Sequence, residues 1–474
     1  MILGHREFSE KWIIEQGILI VSLLLTITVL LFAFNSDKGF VILSGMIVLI
    51  ISVLFMHHLV GLNIRRLTIP SFFWYSYVFM VFVPSFFVFL EQNNPIRYKY
   101  ILAVFLVLLT VPMGIFLAAR MLNFKKSQIA FFYNKPIENG YSLPFRLTLF
   151  VFEFFSLVLV LTYFFEVETV PLIYAIRNVG DYLTMSVLRE ESFKLLKSRF
   201  SYLYFLLRQF GFPLLICISL GLFLLLRKVK FLVVFCLTLI FGIFFSASTL
   251  IKGPVAVIFI CLAFFWYFYK SGNIKFFRFL FFSLVFIFII PILILHLYSP
   301  ERGFFSIVEG IFIRLFVTPA KIAFFYFEIF PYNEGYLYGR SICKIASLIG
   351  LFVPNYEFFN VGNFVFNYMF PHSYIDTGLA PAPFIGDLNA NFGMLGVVIG
   401  GILLGFIMQL IQSWIYAQRK DLLLLAVHSV LLYSFWEANR TSLTTILLSY
   451  GGITVPIFYY VFKLTVRLIK AGKI

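Results

Sequence analysis

The side chains best suited to chemistry are cations in two segments of the chain, at about 166–201 and about 298–388. They are Arg177, Arg189, Arg302, Arg314, Lys321 and Arg340. A guanidinium group stays charged at physiological pH and offers two parallel hydrogen bonds to a carboxylate or phosphate. The alternative is that nearby acids such as Glu301, Glu309 and Glu190 pair with these cations at the surface. We interpret the set as a binding site for an anionic substrate such as a pyrophosphate.

Lys252 is a further candidate for phosphate binding. It follows Ser248 and Thr249 in a very short turn between two hydrophobic segments, where a single cation stands out. Its alternative role is to extend toward lipid headgroups without binding a substrate.

His372 and Asp387 are the candidates for a general base. A neutral imidazole or a carboxylate can remove the proton of an attacking hydroxyl group. His372 could equally be a local hydrogen-bonding residue, and Asp387 could cap the helix that follows it. Motifs typical of zinc proteases, nucleotide-binding loops, dinucleotide-binding folds and serine hydrolases are absent from the sequence. The sequence therefore predicts no metal and no cofactor.

The elements that must position these residues are membrane-spanning helices. Of 474 residues, 62% are hydrophobic and 12% are charged, whereas a soluble domain is about 25% charged. This composition excludes a cytosolic enzyme, a secreted module and a disordered chain. A span needs about 20 mostly apolar residues. We predict an all-α membrane protein, a single domain over residues 1–474, with about twelve spans. These are 17–34, 40–60, 70–90, 100–119, 146–165, 202–226, 231–249, 253–269, 277–297, 389–415, 422–437 and 443–462.

The net charge of +16 is explained by orientation. An even number of spans puts both termini on one side, and the loops of that side hold the excess of Lys and Arg. Because such an excess is typical of cytoplasmic loops, we predict cytoplasmic N and C termini and no nucleic-acid partner. Segments 166–201 and 298–388 are then two large outer loops. Glu153 and Arg208 fall inside predicted spans, where we expect structural pairing, one option being with each other.

The longer outer loop is predicted to contain amphipathic helices. Ser299-Pro300-Glu301 and Thr318-Pro319 are typical helix starts, with Pro in the first turn. Lys321 and Glu328 are seven residues apart and therefore share one face of the second helix. The tenth predicted span has small residues at a spacing that favours close helix packing over contact with a ligand. These are Gly396, Gly400, Gly401 and Gly405.

Four stretches of the chain form a recognisable set. The most specific is Gly378-Leu-Ala-Pro-Ala-Pro-Phe-Ile-Gly386-Asp387-Leu-Asn-Ala-Asn391-Phe-Gly393-Met-Leu-Gly396, which enters the glycine-rich span. The others are Arg177 to Arg189 with Gly180-Asp181-Tyr182, the turn before Lys252, and Arg314-Leu-Phe followed by Phe325 to Pro331. Over roughly residues 160–460, the chain resembles the oligosaccharide repeat-unit polymerases of bacterial surface polysaccharides, the O-antigen or Wzy-type polymerases.

The resemblance implies a membrane glycosyltransferase of the GT-C-like kind in the bacterial inner membrane, with its active site facing the periplasm. The growing glycan would move from undecaprenyl pyrophosphate to the non-reducing end of a new lipid-linked repeat unit. Pyrophosphate is then the leaving group, so neither a metal nor a nucleotide is required. The implied partners are undecaprenyl-pyrophosphate-linked oligosaccharides, membrane lipid and a chain-length regulator protein.

Under this hypothesis, Arg314, Arg302 and Lys252 stabilise the charge that develops on the pyrophosphate. Arg177 or Arg189 would hold the second carrier or its glycan. The other substrate-binding candidates are Arg340, Lys321, Glu328, Asn391 and, for stacking on sugars, Tyr326, Tyr332 and Tyr336. Two alternatives stay open: an O-antigen ligase, which uses the same donor, and a flippase or transporter for the lipid-linked oligosaccharide. A flippase is expected to show two similar halves and short loops, which this sequence lacks.

Overall fold

A computed structural model of the protein describes residues 37–62, 66–138, 141–179, 181–194, 201–271, 292, 303–342, 357–372 and 378–472. Every regular element in these residues is helical, which confirms the predicted all-α class. A chain this apolar must pair its backbone groups internally when lipid surrounds it, and a helix does so within one segment.

The helices are numbered in chain order over the described residues. The earlier ones are α1 (Asp37–Val60), α2 (Ile69–Tyr77), α3 (Val83–Glu91), α4 (Ile96–Met121), α5 (Ser127–Asn134), α6 (Leu143–Glu166), α7 (Pro171–Arg177), α8 (Tyr182–Lys194), α9 (Ser201–Leu206), α10 (Phe212–Leu226) and α11 (Val229–Ala247). The later ones are α12 (Lys252–Tyr269), α13 (Phe304–Phe312), α14 (Thr318–Ile329), α15 (Val361–Met369), α16 (Phe384–Ala417), α17 (Leu422–Trp436), α18 (Leu443–Leu448) and α19 (Thr454–Lys470).

Within the described part of the chain, eight helical stretches are long and apolar enough to cross a membrane. They are Lys38–Val60, Ile69–Glu91, Ile96–Met121, Leu143–Glu166, Tyr202–Leu226, Val229–Ala247, Phe384–Ala417 and Leu422–Asn439. Each coincides with a predicted span, and a shorter apolar helix, Gly253–Tyr269, coincides with another. The predicted spans 17–34 and, apart from Ile292, 277–297 lie outside the described residues.

The last predicted span, 443–462, is not one helix. α18 ends at Leu448 and α19 starts at Thr454. Between them Gly451 has a φ of +110°, a conformation that glycine adopts freely and other residues rarely do. The prediction of a continuous span is therefore wrong, because a hydrophobic run does not reveal a turn within it.

Three helices begin directly after a π-helical turn, and a proline explains each turn. The turns are Val78–Phe82, Leu207–Gly211 and Ile313–Val317. The prolines, each in the first turn of the next helix, are Pro84, Pro213 and Pro319. Proline has no N–H to donate to the carbonyl four residues earlier, and its ring clashes with that carbonyl. Widening the preceding turn relieves both effects while the helix continues.

Helices α4 and α16 pack closely through glycines. A Cβ at Gly114 on α4 would collide with the Ile402 carbonyl, and a Cβ at Gly405 on α16 would collide with the Val111 carbonyl. A Cβ at Gly401 would meet the Thr110 side chain. The glycine-rich span therefore serves close helix packing, as its spacing predicts.

Several consecutive spanning helices are joined by connections of two to four residues, at 92–95, 227–228, 248–251 and 418–421, so the connections gather at two ends of the bundle. We call one the loop end; among its segments are residues 92–95, 167–179, 248–251, 303–342 and 378–383. We call the other the opposite end; among its segments are residues 122–138, 227–228 and 418–421. At the loop end the Tyr100 hydroxyl donates to the Ala320 carbonyl at 2.9 Å. At the opposite end Lys420 Nζ donates to the Tyr133 carbonyl at 3.1 Å.

Candidate functional site

The first polar cluster at the loop end is built on the first turns of α16. Asp387 and Asn391 are four residues apart and therefore share one face of the helix. The Ser341 hydroxyl donates a hydrogen bond to Asp387 Oδ1 at 2.8 Å, and Asn391 Nδ2 donates to the Ser341 hydroxyl at 2.6 Å. Asp387 is 7% exposed, and Asn391 is buried. We call Ser341, Asp387 and Asn391 the Asp387 cluster.

A break in α16 lets the chain before Ser341 dock on this helix. Gly393 has a φ of +63° and a ψ of −156°, a conformation that is essentially confined to glycine. Just before this break, the carbonyls of Ala390 and Asn391 accept hydrogen bonds from the backbone N–H groups of Leu337 and Tyr338, at 2.9 and 3.0 Å. The break therefore supplies the acceptors that hold the 337–341 segment in place.

Asn391 also fixes this segment with its side chain. Its Oδ1 accepts a hydrogen bond from the Gly339 N–H at 2.9 Å, while its Nδ2 donates to the Asp387 carbonyl at 2.8 Å. Both faces of the amide are thus used within the protein. The geometry gives Asn391 a positioning role for Ser341 and Asp387, and the substrate contact expected from the sequence stays a prediction.

Tyrosines and a lysine border the Asp387 cluster. Tyr332 and Tyr338 are exposed, and Tyr336 is half-buried. Lys99 Nζ lies 5.6 Å from the ring centroid of Tyr332 and 5.9 Å from that of Tyr336, so the ammonium group is attracted to both rings. A Cβ added at Gly393 would lie 2.9 Å from the Tyr336 hydroxyl oxygen, which places this ring against the break in α16. Tyr336 therefore lies against the break in α16, two residues from Asn391, and the exposed Tyr332 lies on the other side of Lys99.

Three other predicted substrate residues are engaged by other residues of the protein. Tyr326 is 1% exposed and its hydroxyl donates to the Ala380 carbonyl at 3.0 Å, so its ring belongs to the core and is not placed to stack on a sugar. Lys321 pairs with Glu91 at 3.2 Å, and Glu328 accepts a hydrogen bond from Asn94 Nδ2 at 3.1 Å. Lys321 and Glu328 do share one face of α14, but they tie this helix to the last residue of α3 and to the turn after it.

The remaining loop-end candidates that the structure describes are exposed. Arg314 lies on the π-helical turn Ile313–Val317, and His372 follows α15. Arg340 is next to Ser341 in the chain; its Nε donates to the Glu357 carbonyl at 3.3 Å, and its guanidinium carbon lies 5.7 Å from the Phe359 ring centroid. Arg302 lies outside the described residues. Arg340 is thus the predicted cation that the chain places beside the Asp387 cluster.

A second polar cluster lies between the π-helical turn that joins α9 to α10 and the end of α17. Arg208 is 5% exposed, and its Nη1 donates to Thr249 Oγ1 at 2.9 Å. Glu437 is 4% exposed; it accepts hydrogen bonds from the Tyr433 hydroxyl at 2.9 Å and from Arg440 Nη1 at 3.3 Å. Tyr450 lies within electrostatic range of Arg208, Glu437 and Arg440. We call Arg208, Thr249, Glu437 and Arg440 the arginine cluster.

Charge within this cluster is partly compensated. The Glu437 carboxylate raises the pKa of the Arg440 guanidinium, so Arg440 is held in its charged form. Arg189 on α8 lies within electrostatic range of Arg208 and adds positive potential. Arg208, held by Thr249, and Arg440, held by Glu437, both lie within electrostatic range of Tyr450 at the loop end. A guanidinium group held in this way is suited to binding an anion.

The shorter loop packs on the turn that carries Thr249. The Leu172 N–H at the start of α7 donates to the Ser248 carbonyl at 3.0 Å, and the buried side chains of Ala175, Met185 and Leu250 pack together. The Tyr174 hydroxyl donates to Asp181 at 2.7 Å and ties α7 to the start of α8. The predicted residues of this region are thereby gathered around one turn.

Arg177, Arg189 and Lys252 differ in how close they lie to the arginine cluster. Arg177 and Arg189 are exposed, at the end of α7 and on α8. Lys252 begins α12 directly after the turn, and its side chain lies outside the described part of the structure. Of the predicted anion ligands, Arg189 and Lys252 are therefore the ones whose elements adjoin the arginine cluster.

Glu153 and Arg208, the two charged residues predicted inside spans, bind different partners. Glu153 accepts hydrogen bonds from Ser219 Oγ at 2.7 Å and from Thr238 Oγ1 at 3.1 Å. Arg208 instead reaches Thr249 in the loop-end turn. Arg208 therefore belongs to the candidate site, whereas the sequence reasoning gave it a structural role.

Comparison with protein-family models, with curated proteins and with solved structures finds no match for this chain. Among the described residues, no group of three or more His, Cys, Asp and Glu side chains is arranged to hold a metal ion. The candidate site is therefore described by its own geometry.

Several site residues were not identified from the sequence. Glu437 and Arg440 carry opposite charges three residues apart at the end of a predicted span, in a chain with few charged residues. That spacing was the available signal, since such a pair shares a helical face. Ser341 and Lys99 gave no signal, because their partners are far away in the sequence.

Proposed function

We propose that this protein polymerises lipid-linked oligosaccharide repeat units into a surface polysaccharide. In the proposed reaction, a hydroxyl group at the non-reducing end of one unit attacks the anomeric carbon of the other glycan. The bond from that carbon to the carrier pyrophosphate breaks, and undecaprenyl pyrophosphate leaves with the electron pair. The proton of the hydroxyl group passes to a base of the protein.

The observation that carries the proposal is the arginine cluster. Arg208 and Arg440 are held by Thr249 and Glu437 at the loop end of the bundle. A pyrophosphate gains negative charge as it leaves, and fixed donors that require no rearrangement stabilise that charge in the transition state. The low polarity of the surroundings strengthens the interaction relative to water.

The Asp387 cluster supports the same proposal by supplying a base. The carboxylate is oriented by Ser341 and Asn391, whereas His372, the other candidate, is exposed on a turn. A general base must hold a fixed position within hydrogen-bond reach of the proton that it removes. Asp387 meets the first condition, so we assign it this role, with Tyr332 and Tyr336 as stacking surfaces for the acceptor glycan.

The proposal places the loop end on the periplasmic face of the bacterial inner membrane. Support comes from the distribution of cations, since the opposite end has the basic excess that is typical of cytoplasmic loops. The described cations there include Lys125, Lys126, Arg227, Lys228 and Arg419. Lipid-linked substrates are exposed on the periplasmic leaflet under this proposal, and neither a metal nor a nucleotide takes part.

The test is complementation of a deletion strain, with the surface polysaccharide separated by electrophoresis. We expect Arg440→Gln to abolish the ladder of long chains while a single repeat unit still caps the lipid core. Because this change leaves Glu437 unpaired, the double variant Glu437→Gln/Arg440→Gln is compared with it. Arg120→Gln, at an exposed cation of the opposite end, is the control and should preserve the ladder.

The outcomes separate the alternatives. A normal ladder from both arginine-cluster variants at equal protein levels would refute the proposal. Loss of every capped species on deletion would instead indicate a ligase or a flippase.

A further inference from the structure

A cavity of about 580 Å³ lies at the opposite end, away from both polar clusters. Its walls are the 418–419 turn after α16 and one face of α19. The side chains that decide its chemistry are Arg419, Tyr459, Tyr460, Lys463 and Arg467. In the proposed function, Arg419 contributes only to the orientation of the protein, and the other four have no role.

The cavity is strongly basic. Lys463 Nζ pairs with Asp421 Oδ2 at 3.0 Å, so its charge is compensated. Neither the Arg419 nor the Arg467 guanidinium forms an ion pair or hydrogen bond with another residue in the described part of the chain, and both are exposed. Two guanidinium groups thus converge on one cavity with their donors available. Guanidinium donors suit the oxygens of a phosphate group.

The position of the cavity indicates where that phosphate comes from. It lies beside the four-residue connection between two spanning helices, α16 and α17, where the apolar segments end. Trp414 Nε1 donates to the Tyr460 hydroxyl at 2.7 Å, and Lys463 Nζ stands 4.5 Å from the Tyr459 ring centroid. Trp and Tyr are enriched at the headgroup level of a membrane because each ring is apolar with one polar edge.

We propose that this cavity binds the phosphate of an anionic membrane phospholipid through Arg419 and Arg467. Tyr460, which is exposed, packs along the glycerol region, the buried Tyr459 ring supports Lys463 from below, and Lys463, fixed by Asp421, closes one wall. Basic residues at this end could serve orientation alone, which needs no bound lipid. A charge-matched control separates the two roles, because orientation depends on the number of cations and binding depends on their convergence.

The experiment is native mass spectrometry of the full chain, purified in detergent and titrated with phosphatidylglycerol, phosphatidylcholine or inorganic phosphate. We expect phosphatidylglycerol to bind most tightly. Each cation near an anionic headgroup contributes a factor of about five to the affinity. The double variant Arg419→Gln/Arg467→Gln should therefore bind phosphatidylglycerol roughly twenty-five-fold more weakly. The control Arg120→Gln/Lys125→Gln removes two exposed cations from the same end and should change the affinity less than about twofold.

Equal phosphatidylglycerol affinity in the Arg419→Gln/Arg467→Gln variant and the unmodified protein would overturn the proposal, as would an equal loss in the control. If inorganic phosphate binds as tightly as phosphatidylglycerol and displaces it, the ligand of the cavity is a soluble phosphate and the lipid proposal is overturned. To guard against misfolding, Arg419→Lys/Arg467→Lys keeps both charges, and we expect it to recover most of the affinity.

Discussion

Replacing Gly393 with alanine should release the 337–341 segment from α16. The φ of +63° and ψ of −156° at this position cost any other residue about 1–3 kcal/mol. The new Cβ would also stand 2.9 Å from the Tyr336 hydroxyl oxygen, so that side chain must move as well. Together these effects should favour the undocked segment by about 2–4 kcal/mol. Since about 1.4 kcal/mol is a factor of ten, local opening should become at least about thirtyfold more frequent.

Hydrogen exchange of the protein in lipid nanodiscs measures this opening directly. The backbone N–H groups of Leu337, Tyr338 and Gly339 all donate to acceptors on α16, so their exchange reports the docked state. Gly310→Ala is the matched control, because a Cβ at that position of α13 meets nothing within 4 Å and alanine suits a helix. Unchanged exchange over 337–341 in Gly393→Ala, or the same exchange in both variants, would refute the reasoning.

Three further predictions concern single side chains. Asp387→Asn should abolish chain polymerisation, because an amide does not accept the proton; a normal polysaccharide ladder would rule out Asp387 as the base. Arg314→Ala should remove long chains but leave single-repeat capping of the lipid core, and normal long-chain polysaccharide at equal expression would exclude Arg314. Burial, with the charge of Lys135 adding, lowers the pKa of Lys420 to about 8 from its ordinary 10.5. The folded state then binds fewer protons than the unfolded state between these values, so thermal stability should rise with pH above 8 relative to Lys420→Met; a constant difference between the two melting curves would contradict this.

Hydrophobicity predicted the spanning helices well because the requirement is local. A segment of about 20 apolar residues must form a helix in lipid whatever its neighbours are. The exception is residues 443–462, where the turn at Gly451 divides a hydrophobic run into α18 and α19. The composition of such a turn is as apolar as the helices around it. Glycine pairs are then the remaining signal, and here Gly451-Gly452 supplied it.

The candidate site was predictable only where its residues are close in sequence. Asp387 and Asn391 lie in one short motif, and both reach the same cluster. Their partner Ser341 is 46 residues away from Asp387, and Arg208 is 41 residues from Thr249. Contacts across such separations depend on the packing of helices, which no local pattern encodes. For the same reason the ring of Tyr326 was expected at the surface, although it is in the core.

Arg208 was nevertheless marked in the sequence by a pattern that hydrophobicity does not measure. It lies five residues before Pro213, and Arg314 lies five residues before Pro319. In both places the proline forces a π-helical turn that contains the arginine. Such a turn is less favourable than a regular α-helical turn, and it is frequently found at functional sites. The turn itself is explained by the proline, as in the uncharged turn Val78–Phe82, so an arginine in such a turn is a position to test for a ligand role. By this argument Arg208 and Arg314 are the first two positions to substitute.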